Sequence, residues 1–275
     1  MPRPILVFAT PGEHGADALT LGVNIARPLG APLVLANVAR THSRHHAHER
    51  EMLFDHLVHL RERVPSDLEV SVDVIASPSQ LRGLHDLAVA HDAQILVIGP
   101  EQRTAVGRAL HSDIAANTVF TAPCAVAIAT RRQVMATPRH IGIAWKGAPE
   151  SDEALEGATR LAERTGATLQ IIRVLDPRHP EGTPLQPGVR QQVEAICDTV
   201  RLRVDAETRL EWGDAAPVLV EISRGLDLLV LGSRAHSPVR RTLLGSVSSD
   251  VLHGARCPVV VFPRGVHVAV GAAAL

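Results

Sequence analysis

The chain has no tyrosine, and aromatic residues fill only 2% of its 275 positions. Aromatic platforms on which single-stranded nucleic acid could stack are therefore missing. Neither sign of charge dominates: 28 Lys and Arg stand against 29 Asp and Glu, a formal net charge of −1. Such a balance gives no broad attraction to nucleic acid or to acidic membranes. Cysteine is scarce, with Cys124, Cys197 and Cys257 far apart and outside any paired metal-ligand spacing. An odd, sparse count suits a reducing compartment better than a disulfide framework. No apolar run approaches the roughly 20 residues that span a bilayer. The opening stretch to Phe8 turns directly into a strand-like run and lacks the layout of a signal peptide. The expectation is a soluble, cytoplasmic protein with neither nucleic acid nor membrane as partner.

What is present is aliphatic. Apolar residues make up 45% of the chain, enough for a large core of Val, Leu, Ile and Ala. The chain also repeats itself. Ile95-Leu96-Val97-Ile98-Gly99 matches Leu228-Leu229-Val230-Leu231-Gly232, and Ala122–Ile128 matches Ala255–Val261, both at an offset of 133 residues. Ile5-Leu6-Val7-Phe8-Ala9 pairs with Ile141-Gly142-Ile143-Ala144-Trp145 at an offset of 136, a small indel away. Two unrelated segments would not agree in both order and spacing.

Within each copy, short Val/Ile/Leu runs alternate with helical patterns. Strands are expected near 4–9, 32–38, 68–75, 94–99 and 124–128, and again near 139–145, 167–174, 204–211, 227–232 and 257–262. Helices of the first copy are expected near 16–29, 46–63, 79–91 and 110–119. Continuous apolar runs mark strands buried on both faces, which is the signature of a parallel sheet. The fold class is α/β: two tandem doubly wound domains, each with a five-stranded parallel sheet. The boundaries read 1–130 for the first domain, 131–138 for a polar linker closing with a proline, 139–263 for the second domain and 264–275 for a loosely held tail. Sheets of this kind bind ligands beyond the carboxyl ends of their strands, where strand order reverses. Any site then falls at the turns after residues 9, 38 and 99, or after 145, 174 and 232.

One of these turns carries chemistry. Gly232-Ser233-Arg234-Ala235 is followed by nine residues and then Gly245-Ser246-Val247-Ser248-Ser249. Glycine at a strand end admits close backbone approach, and a Gly-Ser pair opening a helix presents free N–H groups and a hydroxyl. Arg234, Arg240 and Arg241 lie between, with no acid from 232 to 245. The segment is biased toward a polyanion such as a phosphate chain.

These residues resemble the universal stress protein family, whose ATP-binding members carry Gly-x2-Gly-x9-Gly-(Ser/Thr) at this location. Gly232, Gly245 and Ser246 match it, and Ala235 replaces the middle glycine. The likeness extends over most of both halves, including Gly213-Asp214-Ala215-Ala216 before the third helix. It implies a tandem two-domain bacterial member with the Rossmann-like fold of that family. ATP with Mg²⁺ is the implied ligand, contacted by Gly232, Arg234, Ala235, Gly245, Ser246, Val247 and Ser248, with Val174 and Leu175 bordering the adenine. ATP-binding members also carry an acid just after the first strand, facing the base and sugar. Here Lys146 stands in the second half and Thr10 in the first. An ammonium only donates hydrogen bonds and cannot imitate that carboxylate, so Lys146 is either a solvated turn residue or a phosphate contact. In the first half the motif has decayed to Gly99-x2-Gln102 and Ser112-Asp113, and Asp113 would repel a phosphate. Only the second half is expected to bind.

Six histidines crowd positions 42 to 59. They read as a loop and an exposed helix face rather than as metal ligands. Cys124 and Cys257 open equivalent final strands and read as small buried hydrophobes. Those final strands would be exposed if left as edges. Family likeness implies that they pair across a two-fold axis, in a homodimer or, here, in an intramolecular pseudo-dimer of the two halves. No nucleophile–base arrangement is recognisable. The expected function is a non-catalytic, ATP-regulated stress-response protein acting on a protein partner. The alternatives are a ligand-free scaffold working through protein contacts and a slow nucleotide hydrolase or phosphotransferase.

Overall fold

The computed structural model describes residues 2–41, 46–100, 114–175, 188–233 and 246–263. The chain divides into two compact units that part between Ala136 and Thr137. In the first, strands β1 (Ile5–Phe8), β2 (Leu33–Arg40), β3 (Val70–Ser77), β4 (Ile95–Ile98) and β5 (Ala125–Ile128) alternate with helices α1 (Glu13–Leu29), α2 (His46–Arg61), α3 (Gln80–Ala90) and α4 (Ile114–Thr121). All pairings are parallel, with β1 between β2 and β4, β3 beyond β2, and β5 beyond β4.

The second unit repeats this plan. Strands β6 (His140–Ala144), β7 (Thr168–Leu175), β8 (Ala206–Trp212), β9 (Leu228–Ser233) and β10 (Val259–Pro263) alternate with α5 (Pro149–Thr165), α6 (Val189–Arg201), α7 (Ala215–Ile222) and α8 (Ser246–Gly254). Here β6 lies between β7 and β9, again all parallel, with β8 and β10 outside them. Each half is the expected five-stranded doubly wound sheet. Strand order reverses between β1 and β4 in one and between β6 and β9 in the other.

Burial explains why the central strands read as unbroken apolar runs. Ile5, Leu6 and Val7 are consecutive and wholly buried, as are Ile141 and Ile143 of the second half. The outer β8 sequence, Ala206-Glu-Thr-Arg-Leu-Glu-Trp212, buries only its first residue fully. Helices α1 and α5 end identically: Gly30 and Gly166 cap them with φ of 60° and 71°. That left-handed conformation favours glycine. The final strand of the second half starts at Val259 and not at Cys257, because Pro258 has no N–H for the ladder. Helix α1 begins at Glu13, three residues before the first apolar-periodic position. The tail from 264 lies outside the described residues.

Residues 133–136 are strapped to α1 by two buried polar side chains. Asp17 Oδ1 accepts from the Gln133 amide at 2.8 Å. Asn24 donates to the Val134 carbonyl at 2.7 Å and accepts from the Ala136 amide at 3.0 Å. Helix α5 has its own anchor: the Arg203 guanidinium donates to Glu163 at 2.6 Å and to Glu156 at 2.7 Å. Burial pushes the Glu156 carboxyl up, but hydrogen bonds from Arg203 and Arg160 outweigh it and hold the group below its ordinary range.

Two outcomes follow from these contacts. Asn24→Ala leaves two backbone groups of the strap without their partner, and urea denaturation should show about 1–3 kcal/mol lost; an unchanged midpoint would mean that water replaces the amide. A carboxyl held low in the folded state stabilises above its unfolded pKa and loses that contribution as pH falls through the folded value. The Tm difference between the wild type and Arg203→Met should therefore be full at neutral pH and shrink as acid protonates Glu156. A constant difference would contradict this reading.

Candidate functional site

The turn from β6 into α5 builds the carboxyl-end face of the second half. Trp145 extends the ladder past β6, its amide donating to the Ile172 carbonyl at 2.9 Å. Lys146 and Gly147 then turn the chain, Gly147 with φ of 74°. Pro149 opens the helix, where its missing N–H costs nothing. Ser151 ties the turn down: its hydroxyl accepts from the Ala148 amide at 2.9 Å and donates to the Ala148 carbonyl at 2.6 Å.

This first helical turn lies directly on the end of β9. A Cβ at Gly232 would overlap the carbonyl oxygen of Glu150 and crowd the Ser151 amide. The equivalent Gly99 in the first half meets the His14 carbonyl in the same way. The strand-end glycine is therefore required by helix-on-strand packing in both halves, including the half with Ser112-Asp113 in place of Gly245-Ser246.

Charge separates the halves. The Lys146 ammonium lies 3.0 Å from the Glu150 carboxylate, with side-chain exposures of 43% and 4%. Two residues on, Asp152 accepts from the Trp145 indole at 2.7 Å. Both acids sit in the first turn of α5, where the helix dipole favours negative charge. Glu150 thus lies four residues after the lysine and beneath it. Positions equivalent to Trp145, Lys146, Glu150, Ser151 and Asp152 in the first half are Ala9, Thr10, His14, Gly15 and Ala16, so nothing of this charged group is shared. Lys146 is also the single lysine among the 28 Lys and Arg residues.

Val174 is on β7, half-buried and in register with Glu211; Leu175 beside it is buried. Their neighbour Arg173 was not foreseen. Burial lowers its guanidinium pKa, and its buried Nε has no partner among the described residues. Of the motif itself, Gly232 ends in β9, Ser246 opens α8, Val247 is exposed and Ser248 is buried. Arg234, Ala235, Arg240, Arg241 and Gly245 lie outside the described residues, as do Gln102, Ser112 and Asp113 of the first half. The structure thus brings Lys146 and Gly232 to the same end of neighbouring strands β6 and β9.

The remaining candidates are quieter. Cys124 and Cys257 are buried, and burial pushes each thiol up to about 12, which suppresses the nucleophilic thiolate. On α2, His48 and His59 are exposed. His56 departs from the expected exposed face, because its Nε2 is buried and unpartnered among the described residues. His42 and His45 lie outside those residues. Among the described residues no three His, Cys, Asp or Glu converge on a metal position. No helix among them is long and apolar enough to cross a membrane.

The sequence model of the universal stress protein family matches residues 1–130 and again 137–263. The chain belongs to the universal stress protein family. It is a tandem two-domain member, and membership places it among stress-response proteins. It is 26% identical over 294 residues to a universal stress protein of Mycobacterium tuberculosis, covering 94% of this chain and 99% of that one. A second universal stress protein of that organism is 28% identical over 222 residues, covering 73% and 72%. The crystal structure of a universal stress protein from Archaeoglobus fulgidus superposes with a TM-score of 0.78 at 16% identity, covering 95% of this chain and 96% of that one. At that identity the likeness shows the fold.

If packing is what demands glycine at the strand end, Gly99→Ala and Gly232→Ala should each destabilise the ligand-free protein by about 1–3 kcal/mol in urea. A neutral Gly232→Ala would show instead that the helix has room to move and that the glycine serves something else.

Proposed function

We propose that this universal stress protein binds ATP, with Mg²⁺, in its second half only, as a regulatory ligand rather than a substrate. The observation that carries the reading is the retained Gly232…Gly245-Ser246 pattern, which leaves β9 beside the turn that holds Lys146. A helix opening at Ser246 offers unpaired backbone N–H groups to phosphate. Arg173 near the end of β7, whose buried Nε has no partner among the described residues, is a further cation on this half. Gly232, Gly245 and Ser246 are the proposed phosphate contacts, with Arg234, Ala235, Val247 and Ser248 around them and Val174 against the adenine. Mg²⁺ would arrive on the phosphates and neutralise part of their charge. Binding would alter stability or the surface offered to a protein partner. Pairing of the two final strands, in a homodimer or inside one chain, is carried with this reading; native mass separates the homodimer from the single chain.

One observation favours the scaffold alternative. Lys146 is engaged by Glu150, which places a carboxylate at the face that phosphate would approach. A slow hydrolase would release phosphate steadily and lose that activity in Ser246→Ala. Titration with Mg-ATP under tryptophan emission separates the readings, since the Trp145 indole is fixed to the first turn of α5. A saturable change in the micromolar range, abolished by Gly245→Asp with the fold retained, is the expected result. A flat trace, matched by the absence of heat in calorimetry, leaves the scaffold.

A further inference from the structure

A groove opens at the amino ends of β7 and β8, at the end of the second sheet opposite Gly232. Thr168, Gln170 and Ile172 of β7 share one face. A Cβ at Gly142 would meet Ile172 and Leu226, so this face is the one turned to Leu226. Glu207 and Arg209 of β8 stand opposite Gln170 and Ile172 and join them there. With Ile222, Gly225 and Leu226 they line a cavity of about 80 Å³. A water takes roughly 10–15 Å³ of such space, so the cavity admits a solute of roughly five to eight heavy atoms and is too small for a nucleotide. The first half closes this place. Val34 and Ser71 stand where Gln170 and Glu207 do, and Asp73 stands where Arg209 does, in the same strand register. There α3 runs 11 residues, and His91 at its end sets Nε2 2.8 Å from Asp73. In the second half α7 has 8 residues, and Arg224, in the place of His91, turns to Glu221 at 3.0 Å. Gly225 follows, and a Cβ there would meet nothing within 4 Å.

The polar groups of the groove are only partly engaged. Gln170 donates its amide to Glu207 at 2.6 Å, and its buried oxygen has no partner among the described residues. Arg209 donates Nε to Glu211 at 2.8 Å, and its two Nη groups have no partner among the described residues. The other acids of the rim are occupied. Asp205 accepts from the Thr168 hydroxyl at 3.0 Å. Asp227 accepts from the Arg139 and His140 amides at 2.8 and 2.9 Å, with the His140 ring 3.6 Å away. Acceptors therefore remain at Glu207 and Gln170, and a guanidinium fork remains two residues along β8, about 7 Å away. We propose that this groove binds a small apolar α-amino acid as its zwitterion. The ammonium donates to Glu207 and the Gln170 oxygen, the carboxylate lies on the Arg209 fork, and the side chain rests on Ile222 and Leu226. Both charges are needed, because an anion alone would face Glu207 and a cation alone would face Arg209. The site is independent of the proposed nucleotide, which would bind at the other end of the sheet.

The test uses the full chain, without nucleotide, and L-valine, which is of the admitted size. Saturation transfer to the valine methyl protons should titrate with a Kd on the order of 1 mM. Isobutylamine and isovalerate, which are valine less its carboxylate and less its ammonium, should bind about tenfold or more weakly. Glu207→Gln and Arg209→Met should each weaken valine about tenfold or more. Their Tm should stay close to the wild type, since Glu207 is exposed and Arg209 half-buried. Gly225→Leu should fill the groove and abolish the valine signal while the circular dichroism of the fold is kept. The proposal is overturned if valine gives no saturable signal at concentrations on the order of 50 mM, or if its affinity survives Arg209→Met. It is equally overturned if isobutylamine matches valine, which would mean a subsite for cations only, or if folded Gly225→Leu still binds valine.

Discussion

In each half the helix after the first strand begins with its backbone against the end of the fourth strand, and this contact organises the face where a ligand would sit. It brings the α5 turn onto Gly232 and the α1 turn onto Gly99, with no room for a Cβ at either. The helix N-terminus is thereby fixed at the point where strand order reverses, the position at which open α/β sheets place ligands. Everything on the face of the second half depends on that contact. Ser151 can tie down the turn, Glu150 can lie buried under Lys146, and Asp152 can hold the Trp145 indole only because the first turn of α5 does not slide.

The duplication shows which features belong to the architecture and which to one half. Shared features are the strand order, the left-handed glycines that close α1 and α5, and the glycine at the end of the fourth strand. Features of one half are charged or polar. The first half spends buried Asp17 and Asn24 of α1 on holding residues 133–136; the equivalent positions in the second half are Glu153 and Arg160. The second half instead concentrates its lysine, two acids and a tryptophan at the turn after β6. Divergence after duplication has left the aliphatic layers alike, since packing tolerates little else, and has changed the polar residues at their ends.

The fold was legible because its signals are long-range regularities. Unbroken runs such as Ile95–Ile98 and Leu228–Leu231 read as strands covered on both faces, and their recurrence at one offset fixed the duplication. The candidate site was legible less fully. Its location followed from topology, and the Gly232…Gly245-Ser246 pattern from spacing, but the reason for Gly232 did not. A glycine demanded by a neighbouring helix and one demanded by a ligand look identical in a sequence; the close backbone approach at both Gly232 and Gly99, the latter in a half with Ser112-Asp113 in place of the Gly-Ser pair, points to the helix. Glu150 was passed over because an acid in a first helical turn is ordinary. Its burial beneath Lys146 comes from tertiary packing. Arg173, set within an apolar strand, gave no sign that part of its guanidinium would be buried without a partner among the described residues.

The central claim is that two copies of one fold diverged so that a single nucleotide site remains, in the second half. Binding stoichiometry measured by calorimetry with Mg-ATP tests it most directly. The account predicts one site per chain, lost entirely in Gly245→Asp. Two sites per chain would contradict the decay of the first half, and one site that survives Gly245→Asp would place binding in the wrong copy.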